Sequence, residues 1–162
     1  MNIKKKIAQF LCHYNHKKYW KRREIVVSNN SKVPAIIVYY YWIWLKYIEG
    51  RNNSIIGTYK GGGAYFKTPP KLPHNLNGII IATEAIVGKN CTIMQQVTIG
   101  KNGKDEGAPT IGDNVFIGAG AKIIGPINIG NNVKIGANAV VVKDIPDNAT
   151  VVNEFRIIER KV

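Results

Sequence analysis

The chain has 162 residues, 45% of them hydrophobic, and a formal charge of +13 from 23 Lys and Arg against 10 Asp and Glu. That length suits one compact domain with a short appendage. Residues 1–60 hold 12 Lys and Arg against 2 Glu, so the excess charge belongs to an N-terminal arm, which suits nucleic acid, an anionic membrane surface or an acidic glycan; no nucleic-acid motif accompanies it, and no nucleic-acid partner is expected.

Residues 2–27 read as a basic amphipathic helix. Ile3, Ile7, Phe10, Leu11 and Tyr14 fall on one stripe, and Lys17, Lys18, Lys21, Arg22 and Arg23 follow. Lys4, Lys5 and Lys6 lead into no signal-peptide core or cleavage site. His13 and His16 have metal-ligand spacing but no evident third ligand, so they read as a solvated face and no metal is expected. Residues 28–31 form a break, and Pro34 suits the first turn of a second helix running to about Tyr47. Its longest apolar run, Val33–Leu45, is 13 residues, short of the roughly 17–25 that span a bilayer. A helix apolar nearly all round packs in a core, between subunits, or against lipid headgroups through its aromatic rings. With its basic neighbour, this makes peripheral contact of residues 1–50 with an anionic membrane an expectation to test. Trp42, Trp44 and the nearby tyrosines can alternatively stack on sugars. Gly50–Asn53 reads as a linker, which gives an arm over residues 1–54.

From Ile55 the chain looks extended, with a turn at Gly61-Gly62-Gly63, and Pro69, Pro70 and Pro73 exclude a helix there. A six-residue period then takes over. Ile81, Val87, Ile93 and Ile99, then Ile111, Ile117, Ile123, Ile129, Ile135 and Val141, recur at that spacing on either side of one break. Cys91, Val97, Val115, Ala121, Val133 and Ala139 stand four residues after their aliphatic partners. Six is too short for a helical repeat and wrong for a plain strand; it fits a β-solenoid whose hexads are the flat faces of a triangular coil. The aliphatic residue points inward, the small one fills the remaining interior, and Gly or Asn turns the corners. Cys91 is then a buried small hydrophobe, and two distant cysteines suggest no disulfide framework, which fits a reducing, cytoplasmic location. Residues 55–153 form this domain, residues 101–110 are a loop leaving it, and residues 154–162 are a charged tail. Loops on a rigid scaffold are where function concentrates.

His74, in Leu72-Pro73-His74, is the one histidine outside the arm. A neutral imidazole is suited to taking a hydroxyl proton at neutral pH; the alternative is a structural or surface histidine. Lys101, Lys104, Lys122, Lys134 and Lys143 are each able to meet phosphates, and charge alone does not rank them.

Several stretches carry a resemblance: Leu72-Pro73-His74, Val97-Thr98-Ile99-Gly100, Pro109-Thr110-Ile111-Gly112-Asp113-Asn114-Val115, Ile117-Gly118-Ala119-Gly120-Ala121-Lys122-Ile123, Ile135-Gly136-Ala137 and Lys143-Asp144-Ile145-Pro146. Over residues 72–152 the chain resembles the serine acetyltransferase-like branch of the hexapeptide-repeat acyltransferases. The resemblance implies a mainly β chain, a left-handed parallel β-helix with a short helical arm, assembled as a homotrimer with active sites between subunits. It implies acetyl-CoA as co-substrate, His74 as general base, and Gly100, Ala119, Ala137 and Lys122 as coenzyme contacts. Serine acetyltransferases carry Asp where this chain has Pro73, and Arg-His where it has Gly107-Ala108. Those side chains grip a small zwitterion, and their replacement is more like the capsular and exopolysaccharide O-acetyltransferases. The spacing from His74 to Gly78 is one residue longer than the family's, and Asn153-Glu154-Phe155-Arg156 replaces its closing Gly-x-Pro-Ala. Asp105, Glu106 and Glu84 are candidates for orienting His74. The expected activity is O-acetylation of a sugar hydroxyl in a polysaccharide, a lipid-linked glycan or a nucleotide-sugar. The alternatives are a serine O-acetyltransferase and a non-catalytic trimeric β-helix scaffold.

Overall fold

A computed structural model describes residues 14–28, 32–103 and 107–154. Helix α1, His16–Val27, begins where the Asn15 side chain accepts a hydrogen bond from the Lys18 N–H at 3.0 Å. An N-cap of that kind starts a helix, so residues 2–27 are not one continuous helix; positions 2–13, with Cys12 and His13, lie outside the described residues. Helix α2, Ala35–Arg51, runs a turn past the expected end at Tyr47. Gly50 and Arg51, read as linker, complete it, and Asn52 closes it by bonding Ile48 O through both its N–H and its side-chain amide, at 3.2 and 2.8 Å.

The helices pack on each other and on the base of the coil. Tyr19, Trp20 and Val26 of α1 and Val38, Leu45 and Ile48 of α2 are buried. A polar network crosses this junction. The buried Arg23 donates to Thr58 Oγ1 at 2.9 Å and to Ala64 O at 2.7 Å, while the buried Glu49 accepts from the Tyr19 hydroxyl at 2.6 Å and from Lys46 Nζ at 2.9 Å. Burying polar groups without such partners is costly. The Arg22 guanidinium lies over the rings of Trp44 and Tyr41, 4.2 and 4.8 Å from their centroids, so the Trp44 ring is already engaged inside the protein.

The rest is a parallel β-solenoid of about four turns, the architecture of a left-handed β-helix. β1 (Ile55–Ile56) starts it, an antiparallel pair β2 (Thr58–Tyr59) and β3 (Gly62–Gly63) interrupts, and β4 (Tyr65–Phe66) resumes. Three faces follow. The first stacks β1, β5 (Ile80–Ile81), β8 (Thr98–Gly100), β11 (Lys122–Ile124) and β14 (Val140–Val141). The second stacks β4, β6 (Ile86–Val87), β9 (Thr110–Ile111) and β12 (Asn128–Ile129). The third stacks β7 (Thr92–Ile93), β10 (Phe116–Ile117), β13 (Lys134–Ile135) and β15 (Thr150–Val151). Most coil strands are two residues long, one side chain out and the next inside, as the period of two in extended chain requires. Ile81, Ile99 and Ile123 share one interior column, and Ile93, Ile117 and Ile135 another, all buried.

Corners need left-handed backbone, and asparagine supplies much of it. Asn90, Asn114, Asn132 and Asn148 stand above one another between the second and third faces at φ of 55 to 61°. Their side-chain amides form a ladder at 3.3, 3.2 and 3.0 Å. The expected interruption leaves between the first and second faces: twelve residues separate Ile99 from Ile111 where six separate Ile123 from Ile129. Positions 104–106 of that loop lie outside the described residues.

Candidate active site

The edge where the third face turns into the first gathers most of the residues singled out from the sequence. In successive coils it is built by the turn around His74, by Gln95-Gln96, by Ala119-Gly120 and by Ala137-Asn138. Backbone bonds stack these corners: Gln96 N–H to Asn77 O at 2.9 Å, Gly120 N–H to Gln95 O at 2.9 Å, and Asn138 N–H to Ala119 O at 2.8 Å.

The corner bearing His74 is enlarged. Lys71 pairs with Thr92 and Ile80 with Thr98, so nine residues join two rungs that six join in the next coil. The extra chain turns through Asn75 and Gly78, both at positive φ, is anchored by the buried Leu76 and Ile79, and leaves His74 exposed. At Gly78 a Cβ would meet Gln96 Cγ at 3.1 Å in a left-handed conformation, so any side chain there presses on Gln96. An exposed imidazole beside a rigid edge can reach a bound hydroxyl. Among the described residues no side chain hydrogen-bonds its ring. Glu84, one sequence candidate for orienting it, is instead held by Lys101 at 2.7 Å on the edge between the first and second faces; Asp105 and Glu106 lie outside the described residues.

Ala119 and Ala137 follow on the His74 edge, one coil apart. Their backbone N–H groups are not used by the coil or by any other group among the described residues, and their methyl groups leave the backbone open to a ligand. Lys122 Nζ reaches along the same edge to the Gln96 carbonyl at 2.8 Å, which separates it from the other lysines. Gly100 is elsewhere. It ends β8 at the edge between the first and second faces, where its carbonyl accepts from Gly125 N–H at 2.9 Å. Lys101 is spent on Glu84, Lys134 and Lys143 are exposed away from the His74 edge, and Lys104 lies outside the described residues. Gln95 and Gln96 belong to this edge but were missed by sequence reading, because only the bonds between stacked coils bring them to it.

Gly107-Ala108, the end of the loop, sits by the edge between the first and second faces, so the first face separates it from His74 in one chain. A groove of about 620 Å³ between α1 and β4, lined by His16, Lys17, Trp20, Lys21, Tyr65 and Lys67, holds none of the residues that sequence reading assigned to a site. Burial lowers the pKa of His16 there. Among the described residues no three His, Cys, Asp or Glu side chains converge as a metal site would require, and no helix is long and apolar enough to cross a membrane.

Residues 108–143 match the family described as bacterial transferase hexapeptide (six repeats). Against curated protein sequences there is no match. Solved structures do match. The serine acetyltransferase of Neisseria gonorrhoeae is 35% identical over 72% of this chain and 45% of its own, with a TM-score of 0.62. Serine acetyltransferase 1 of Entamoeba histolytica, solved with L-cysteine, is 32% identical over 71% of this chain and 44% of its own, with a TM-score of 0.60. The serine acetyltransferase of Brucella abortus strain S19, solved with coenzyme A, is 33% identical over 76% of this chain and 47% of its own, with a TM-score of 0.59. The chain thus spans just under half the length of these relatives.

Proposed function

We propose that this chain, a hexapeptide-repeat protein of the serine acetyltransferase-like branch of acyltransferases, transfers acetyl from acetyl-CoA to a hydroxyl with His74 as general base. The observation that carries this reading is the alignment of His74, Ala119, Ala137 and Lys122 along one edge of the coil. A relative of the same fold holds coenzyme A. On this chain the free N–H groups of Ala119 and Ala137 suit the amides of the coenzyme's pantetheine arm, and Lys122 suits a phosphate. Gly100 serves the coenzyme only if a second copy brings its edge beside the first.

The chemistry is direct transfer. His74 takes the acceptor O–H proton as the oxygen attacks the thioester carbonyl carbon. The tetrahedral oxyanion is held by a backbone N–H, the C–S bond breaks, and the thiolate recovers the proton from the imidazolium. A positioned base of this kind contributes about 10²–10⁴-fold, and a preorganised oxyanion donor about 10²–10³-fold. No metal takes part in this scheme.

Free serine is the acceptor with more support, because the solved relatives described above are serine acetyltransferases. That is better support than the sugar hydroxyl expected from the sequence receives. The sugar acceptor remains the second reading on one observation: Pro73 and Gly107-Ala108 offer no charged side chain for serine's carboxylate and ammonium. Mass spectrometry of the product formed from acetyl-CoA with serine, nucleotide-sugars and oligosaccharide fragments separates the two. O-acetylserine supports the first reading and overturns the second; an acetylated sugar does the reverse. Coenzyme supply makes the cytoplasm the natural location. A homotrimer belongs to the same reading, since the loop end and His74 stand on different edges and meet only across two copies. A scaffold without catalysis would bind no acetyl-CoA in calorimetry.

A further inference from the structure

We infer that the outward face of α2 seats the protein on an anionic lipid surface. α2 is apolar nearly all round, yet only one side of it is covered. Val38, Leu45 and Ile48 face inward and are buried, whereas Ile36, Tyr40, Ile43 and Tyr47 are 80, 57, 50 and 55% exposed. Their spacing of four, three and four places them on one stripe along three turns of helix. A contiguous apolar stripe left open marks an interaction surface, since isolated exposed apolar residues are normal and an aligned row of them is not.

Charge identifies the occupant. The rim is basic: Lys32 precedes the helix, Arg51 ends it, and Lys18 comes over from α1 to within 5.8 Å of the Trp44 ring centroid. Of the two acidic residues in this part of the chain, Glu49 is buried and neutralised by Lys46, and Glu24 is on α1. A second copy docked here would set one basic rim against another. Anionic headgroups reverse that repulsion, and each Lys or Arg near such a surface adds to the attraction. The side chains also suit this partner. Tyrosine carries an apolar body and a polar tip, the combination found at the headgroup boundary, and isoleucine enters the acyl region beside it. The exposed stripe is about 16 Å long, from 1.5 Å per residue, so the helix lies on the surface and does not cross it. The inference stands independently of the acetyl-transfer reading.

The test is co-sedimentation of the full chain with vesicles of phosphatidylcholine alone and of phosphatidylcholine with phosphatidylglycerol, at low and high salt. Binding to the anionic vesicles only, released by salt, is expected. The combined change Lys18→Gln, Lys32→Gln and Arg51→Gln weakens that binding by roughly tenfold or more, and so does Tyr40→Ser with Ile43→Ser and Tyr47→Ser, with an unchanged far-UV spectrum. Quenching of intrinsic fluorescence by brominated lipid reads the same contact in the unaltered chain. No binding to anionic vesicles overturns the inference. Undiminished binding by the serine variant also overturns it, because charge alone would then suffice. A smaller oligomer for that variant in sedimentation velocity reassigns the stripe to contact between copies.

Discussion

The residues that shape this molecule are those at its corners, where the backbone leaves ordinary strand geometry. Gly118 lies in the interior stack beside the His74 edge, and a Cβ there would lie 2.6 Å from the Ala137 N atom. Backbone cannot yield as a side-chain tip does, so Gly118→Ala is expected to cost about 1–3 kcal/mol in a urea titration and to displace Ala137. Asp113 ties another corner. Its carboxylate accepts from the Lys89 N–H at 2.9 Å and pairs with Lys67 at 3.2 Å, and these hold its pKa below the ordinary carboxylate range, the backbone bond first. A depressed acid pKa means that the folded state binds fewer protons than the unfolded one, so this stabilisation is full at neutral pH. It is lost as pH falls below about 4 and through the lowered folded value. Melting temperatures of wild type and Asp113→Asn should differ at pH 7 and converge in acid; a constant gap would contradict this.

At the scale of elements, strands and helices were not equally legible. The hexads could be read because interior Ile and Val recur with no competing pattern, and each buried aliphatic position from Ile81 to Val141 stands where the period puts it. Leu-Pro-His marked one catalytic candidate. The corner partners Gln95 and Gln96 carry no local signal and become visible only when coils stack. The arm was harder. A helix apolar on all sides has no period to say which side packs, and Arg23 looked like one more basic residue in a cationic run. Burial sets it apart, because its guanidinium satisfies Thr58 and two carbonyls and lies over the Phe66 ring at 4.8 Å. Arg23→Ala would leave Thr58 Oγ1 and the Ala64 carbonyl buried without that donor, Ile56 O alone keeping the Thr58 hydroxyl at 3.1 Å, and is expected to cost about 3 kcal/mol or more and to loosen α1 from the coil. A change within about 0.5 kcal/mol, the usual effect of an exposed substitution, would place Arg23 on the surface.

The whole molecule separates its features by edge. His74, Ala119, Ala137 and Lys122 stand on one edge, the loop and Gly100 on another, and the basic arm at the base. Such a division makes sense if a neighbouring copy brings the second edge to the first, and three copies are expected in sedimentation velocity at working concentration. A monomer that still turned over would contradict completion of the site between copies. The central claim rests on His74, and the most direct measurement is thiol release from acetyl-CoA by wild type and His74→Ala, with serine and sugar acceptors, alongside calorimetry of acetyl-CoA binding to both. A fall of roughly 10²-fold or more in turnover, with coenzyme binding retained by the variant, is the predicted result. Equal turnover by His74→Ala, or no coenzyme binding by either protein, would contradict it.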